Sequence, residues 1–217
     1  MHPNPAFRAD EPVAAVLARA AAIGFAHLTI ATPAGLMVAH VPVTRHGTTL
    51  RFHVARSNRI APHLDGATAL VSIVGPDGYV SPNWYPVPGD QVPTWNYVAI
   101  EIDGYVRALD EAGLVEQLDT LAATHELRVN PAAPWTRDKM DPRAFAAMLR
   151  AIRGFELTVT AIRTTTKLSQ NKRPPDRDGV IAGLTACGND ALAEAMLDVL
   201  PSTGDRPHGG AMANRCV

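Results

Sequence analysis

Three short stretches hold residue types that could do chemistry. "LRFHVARSNRIAPHL" puts Arg56, Ser57, Asn58 and Arg59 directly after a β-branched run. A guanidinium, a hydroxyl and an amide beside free backbone N–H groups form a cradle for phosphate, since arginine binds an anion through two nitrogens and short side chains allow close approach. A solvated turn capped by Ser57 or Asn58 is the plainer reading of the same residues. "KLSQNK" ends another β-branched run with Lys167, Ser169, Gln170 and Asn171. That set suits an anion or the polar edge of a heterocycle, and equally a bare turn. The third stretch is aromatic: Tyr79, Trp84, Tyr85, Trp95 and Tyr97 cluster in "YVSPNWYP" and "VPTWNYVAI", in a chain that is only 6% aromatic. Tryptophan and tyrosine pair an apolar body with a polar tip, which serves a planar ligand, a subunit interface or a core.

Other chemistries find less support. His27, His40, His53 and His63 fall on separate segments with no H-x-x-x-H pair and no acid cluster, so no metal site is expected. Neither a G-x-S-x-G elbow nor G-x-G-x-x-G nor a P-loop occurs. Cys187 and Cys216 have no C-x-x-C spacing, which suggests neither zinc nor a disulfide framework and fits a cytoplasmic location. A chain of 217 residues, 47% apolar and 19% charged, is long enough for one sizeable core. Its net charge of -1 gives no general pull toward nucleic acid. No signal-peptide layout opens the chain, and its apolar runs are too short or too polar to span a bilayer, so no membrane association is expected.

The elements that would position these residues are mainly strands. Asp10 with Glu11-Pro12 reads as a helix start, followed by an apolar face of Val13, Val16, Leu17 and Ala20. "FAHLTIATP", "LMVAHVPVT", "TTLRFHVA" and "ATALVSIVG" are β-branched segments separated by turn signals, and "GYVSPNWY" and "TWNYVAIEIDGYVRAL" extend the series. Two helices follow. Asp110 caps one with Leu114, Leu118, Leu121 and Ala122 on a face, and Asp141-Pro142 starts another that Gly154 ends. "FELTVTAIRTTTKL" is a last strand, residues 190–200 a last helix, and the remainder a loose tail. Six or seven strands with helices added late predict a mainly β, α+β fold built on an antiparallel barrel, because closure removes exposed edges.

Taken together, "HVARSNRIAPHLDG", "YVSPNWYP", "VPTWNYVA", "MLRAIRGFEL" and "KLSQNKRPPDRDGVIAGL", in this order, resemble the PaiB-like family of FMN-binding negative transcriptional regulators. The resemblance covers residues 1–185, leaving 186–217 as a terminal helix and tail. It implies a split β-barrel of the pyridoxamine-phosphate-oxidase type, a homodimer, and FMN at the subunit interface. By the same resemblance Arg56, Ser57 and Asn58 hold the phosphate, and the ring lies near His40, Val41, Pro42 and His53. Trp95, Lys167, Ser169, Gln170 and Asn171 complete the expected contacts. One departure is Lys172-Arg173 after "KLSQN", where the family often has arginine at once; the charge is kept and its geometry altered. The residues leave open whether such a regulator meets DNA directly, and an FMN-dependent oxidoreductase or a haem-binding split barrel are the alternative classes.

Overall fold

The computed structural model describes residues 2–8, 11–87 and 89–199. Asp10 and the tail beyond residue 200, with Cys216, lie outside the described residues. Among the described residues six strands form a closed antiparallel barrel in the order β1-β2-β3-β6-β5-β4, where β1 is Phe25–Thr32, β2 Gly35–His46, β3 Thr49–Ala55, β4 Thr68–Val80, β5 Thr94–Ala108 and β6 Ile152–Lys167. The helices are α1 Val13–Ile23, α2 Glu111–Val129, α3 Pro142–Leu149, α4 Pro174–Ala186 and α5 Asp190–Asp198. This is the mainly β, α+β antiparallel barrel that the strand pattern implied, and the resemblance gave its split-barrel type.

The chain divides into two compact units. The larger comprises Glu11–Ile73 and Ile100–Arg163, the smaller the described residues among 2–8, 74–99 and 164–199. In the larger unit the alternation of apolar residues sorts side chains by strand geometry. Leu28 and Ile30, Val41 and Val43, and Leu50 and Phe52 are buried in one core, and Phe52 stacks on Phe155 with ring centroids 5.6 Å apart. Residues of the opposite parity on β1 and β2 point outward. Leu36 is 73% and Val38 45% exposed, and Phe25, His27 and His40 are exposed beside them. Helix α1 buries Val16, Leu17 and Ala20 and leaves Val13 exposed, and it begins without a side-chain cap. Asp110 and Asp141 do cap α2 and α3, accepting from Gly113 N at 2.8 Å and from Arg143 N and Ala144 N at 2.9 Å.

Two local expectations need correction, and one helix was not expected. Gly154 does not end α3, which stops at Leu149; it sits inside β6, where a Cβ would lie 3.0 Å from Leu114 Cδ1 and 3.2 Å from Leu109 Cδ1. The two segments expected on either side of Pro76-Asp77-Gly78 are one strand, β4, which ends before a 3-10 turn at Pro82–Trp84. Gly78 is there for close approach, since a Cβ would come 2.6 Å from Asn189 Nδ2. Pro174 and Pro175 open a helix, α4, that the polar composition concealed; prolines fit its first turn because no intrahelical N–H is needed there.

In the smaller unit α4 and α5 pack around Val80, Val98, Leu168, Val180, Leu184 and Met196. Gly179 and Gly183, one helical turn apart, let α4 approach the 3-10 turn closely, and a Cβ on Gly183 would lie 2.3 Å from Trp84 Cδ2. Gly104 plays the same part between β5 and β6, where a Cβ would meet the Thr158 carbonyl oxygen at 2.4 Å and Leu157 Cδ2 at 2.5 Å. Gly104→Ala is therefore expected to destabilise the fold by about 1–3 kcal/mol through overpacking. Urea denaturation checks it, and an unchanged midpoint would mean that β5 and β6 do not approach this closely.

Candidate functional site

The strongest cationic feature lies where β3 meets β6. These strands pair antiparallel, with Val54 opposite Arg153 and Ala55 opposite Ile152. The pairing delivers Arg56 to the turn after α3: its backbone N–H donates to Ala151 O at 2.8 Å and its Nε to Arg150 O at 2.7 Å. Arg56, Arg150 and Arg153 line one recess of about 110 Å³, together with Asp110, which caps α2, and Glu111 in its first turn. None of the three arginines makes an ion pair with a carboxylate among the described residues. Arg153 lies over the Phe155 ring at 5.3 Å, a contact that leaves guanidinium hydrogens available. Ser57 is exposed, while Asn58 caps the next turn by accepting from Ile60 N at 3.2 Å.

These groups fit a phosphate. Arg56 is steered through Nε, and its two terminal nitrogens make no hydrogen bond among the described residues, the arrangement that binds an anion bidentately. Arg150 and Arg153 were missed in the sequence reading. Their only signal was a spacing of three in "RAIRGF", uninformative until β6 is paired with β3.

The expected ring contacts fare differently. His40 is exposed on β2, opposite His27 in register, with ring centroids 4.9 Å apart. Val41 points into the barrel and is fully buried. His53 is half-buried, and its Nδ1 lies 3.0 Å from Gln117 Oε1 of α2. Arg51, two residues earlier on the same face, donates to Glu156 at 2.7 Å and to Glu116 at 2.6 Å. Helix α2 therefore covers this part of β3, and only His40 of the two histidines stays open.

The second expected set lies in the smaller unit. Lys167 Nζ donates to Thr94 Oγ1 at 2.6 Å, and burial lowers its pKa. Ser169 adopts a left-handed φ of 60° and is buried, accepting from Asn96 Nδ2 at 2.9 Å. Gln170 folds back, accepting from Leu168 N at 2.7 Å and donating to Thr166 O. These two residues shape the turn, while Asn171 is exposed. Trp95 is half-exposed, its Nε1 donating to Asp77 Oδ1 at 2.8 Å and its ring edge meeting Tyr79.

Burial lowers the His53 pKa below its ordinary value of 6.5, against the opposing effect of its hydrogen bond to Gln117 Oε1. The folded protein thus prefers the neutral ring, and as pH falls through 6.5 the unfolded chain takes up the proton first. Stability contributed by this group is present above 6.5 and is lost as pH drops toward the folded value. His53→Gln is expected to flatten the fall in stability between about pH 7.5 and 5.5. Paired denaturation curves of wild type and variant measure it; equal slopes would remove His53 as the cause.

Comparison with known proteins agrees with this architecture. A family model described as "Putative FMN-binding domain" matches residues 1–161. "Protease synthase and sporulation protein PAI 2" of Bacillus subtilis is 34% identical over 134 residues, 60% of this chain and 63% of that protein, so the match spans less than two thirds of the relative. An uncharacterized protein of Emericella nidulans is 29% identical over 187 residues, 71% of this chain and 74% of its own. Among solved structures, the FAD and heme binding protein from Mycobacterium smegmatis superposes with a TM-score of 0.52 at 17% identity, covering 78% of this chain and 77% of that one. A conserved hypothetical protein from Mycobacterium tuberculosis reaches 0.55 at 10% identity, covering 80% and 94%. At such identities these two share the fold alone. With the family model matched over residues 1–161, the chain belongs to the PaiB-like family of FMN-binding split-barrel proteins, and FMN is its cofactor.

Proposed function

We propose that the protein is a dimeric, cytoplasmic FMN-binding regulator in which the flavin pocket senses a redox state or small metabolite. The observation that carries this reading is the recess of three arginines without carboxylate partners. Arg56, Arg150 and Arg153 bind the phosphate, the Ser57 hydroxyl donates to it, and Asn58 keeps the turn in shape. His40 lies beside the ring. Bound FMN supplies reversible electron transfer, while the protein supplies orientation and electrostatics. Trp95, Lys167, Ser169, Gln170 and Asn171 form the second contact set, with Lys167 as its cation and Ser169 and Gln170 holding the turn. Flavin titration tests the assignment. Arg56→Ala and Arg153→Ala are each expected to weaken FMN by about 1.5–3 kcal/mol, the loss typical of a charged hydrogen-bond partner, and to leave riboflavin nearly unchanged. Lys167→Ala is expected to weaken FMN with the fold intact. Equal losses for FMN and riboflavin in the arginine variants would sink the phosphate assignment.

The exposed Leu36 and Val38 on β2 support a second copy as partner, since exposed apolar side chains next to each other on one face are costly to leave in water. The net charge of -1 supports action on genes through a partner protein, because duplex binding needs a basic face that displaces counterions. No helix among the described residues is long and apolar enough to cross a membrane. Val38→Glu is expected to shift the protein to monomer in sedimentation, with random duplex left unshifted by the wild type at physiological salt. A dimer indifferent to the substitution would place the interface elsewhere.

A further inference from the structure

Helices α2 and α3 are amphipathic, yet their apolar faces do not close on each other. Of the 19 residues of α2 only Leu114 and Gln117, both in its first half, are buried, and α3 buries only Leu149. The faces instead line two adjoining cavities of about 810 and 610 Å³ that share Ala122, Trp135, Met140 and Phe145. Both are open to solvent, and Leu127 and Met148 on their walls are 61% and 63% exposed, so they form an apolar recess at the surface, of the kind that marks a ligand-binding or interaction site.

The segment joining the two helices, residues 130–141, is tied down by polar contacts. Trp135 N donates to Glu126 Oε2 at 2.8 Å, Lys139 Nζ to Pro134 O at 2.7 Å, and Arg137 reaches both oxygens of Asp119 at 3.0 and 3.1 Å. The Arg137 guanidinium also lies 5.2 Å from the Phe145 ring centroid. These ties hold the segment in place while its apolar side chains, Trp135 and Met140, are left facing the space. The wall is thus pre-organised.

We propose that this space is a binding site for a neutral aromatic small molecule, distinct in chemistry from the arginine recess that it adjoins at Leu149. Volumes of roughly 300–1,000 Å³ are those of small-ligand pockets. Flat rings match the aromatic faces of Trp135 and Phe145 and the thioethers of Met140 and Met148, which pack well against ring edges. Charge decides against an anion. Arg137, the cation of the wall, is taken by Asp119, while the carboxylates of Asp138 and Glu126 also line the space. A flavin phosphate is therefore repelled here. The site stands whether or not the proposed phosphate assignment holds.

The test uses the full chain saturated with FMN and the neutral fluorophore N-phenyl-1-naphthylamine, followed by its emission and by sedimentation. Saturable binding of one probe per chain is expected, with FMN still bound. Ala122→Phe, which fills the space shared by both cavities, should weaken the probe at least about tenfold, a change of 1.4 kcal/mol. It should leave FMN affinity as it was. Leu127→Arg, at a wall position 61% exposed and therefore tolerant of charge, should weaken the probe without lowering the melting temperature. That second variant keeps the test decisive if Ala122→Phe fails to fold. Undiminished probe binding in the folded variants would overturn the proposal. So would competition between FMN and probe, which would make this the flavin's own space. Loss of the dimer in Leu127→Arg, with no probe binding in the wild type, would make it a contact between copies and also overturn it.

Discussion

Arg51 is the constraint on which the larger unit depends. It is nearly buried on the outer face of β3, where a charge without partners would be strongly destabilising. Glu156 from β6 and Glu116 from α2 supply those partners, and their hydrogen bonds outweigh the effect of burial and hold the guanidinium pKa up. The same bond to Arg51 holds the exposed Glu116 carboxyl below its usual range. Because the two carboxylates come from different elements, satisfying one arginine anchors α2 to the strand pair. His46 adds to the cluster, 3.6 Å from each carboxylate.

The position of α2 then determines what surrounds it. Gln117, one residue after Glu116, meets His53 and removes that histidine from the open surface. The start of the helix brings Asp110 and Glu111 to the recess that holds Arg56, Arg150 and Arg153. Its second half, beyond the last buried residue, becomes a wall of the apolar space under α3. One buried charge thus relates a cationic recess suited to phosphate and an apolar space suited to a neutral ring. The two differ in chemistry because the arginines of the recess lack carboxylate partners, whereas the arginine of the apolar space has one.

The smaller unit is organised by close approach. Two glycines on α4 admit the Trp84 ring and backbone, and Asn96 with Ser169 forms a buried pair that keeps the turn after β6 in its left-handed conformation. "KLSQNK" is thereby partly structural. Ser169 and Gln170 use their polar groups on the turn itself, and Lys167 and Asn171 are the members with capacity for another molecule.

Strand alternation, the caps at Asp110 and Asp141, and the order of "SPNWYP", "PTWNY" and "KLSQN" were legible in the sequence by itself, and with them the barrel and the family. Such signals are local: period-two burial, a carboxylate just ahead of a helix and a run of residue types need no knowledge of what packs against them. The roles of Gly78 and Gly154 were misread, and the helix that Pro174 and Pro175 open was not read at all, because a glycine in a strand or a proline pair has several local meanings, and the neighbour that selects one is remote. The site divides in the same way. Arg56 announced itself by its company, but Arg150 stands 94 residues away and reaches it only through the pairing of β3 with β6. His53 looked as available as His40 until α2 was laid over it. What tertiary structure decided was which polar groups already have partners, and that depends on contacts between distant segments, which a linear sequence does not encode position by position.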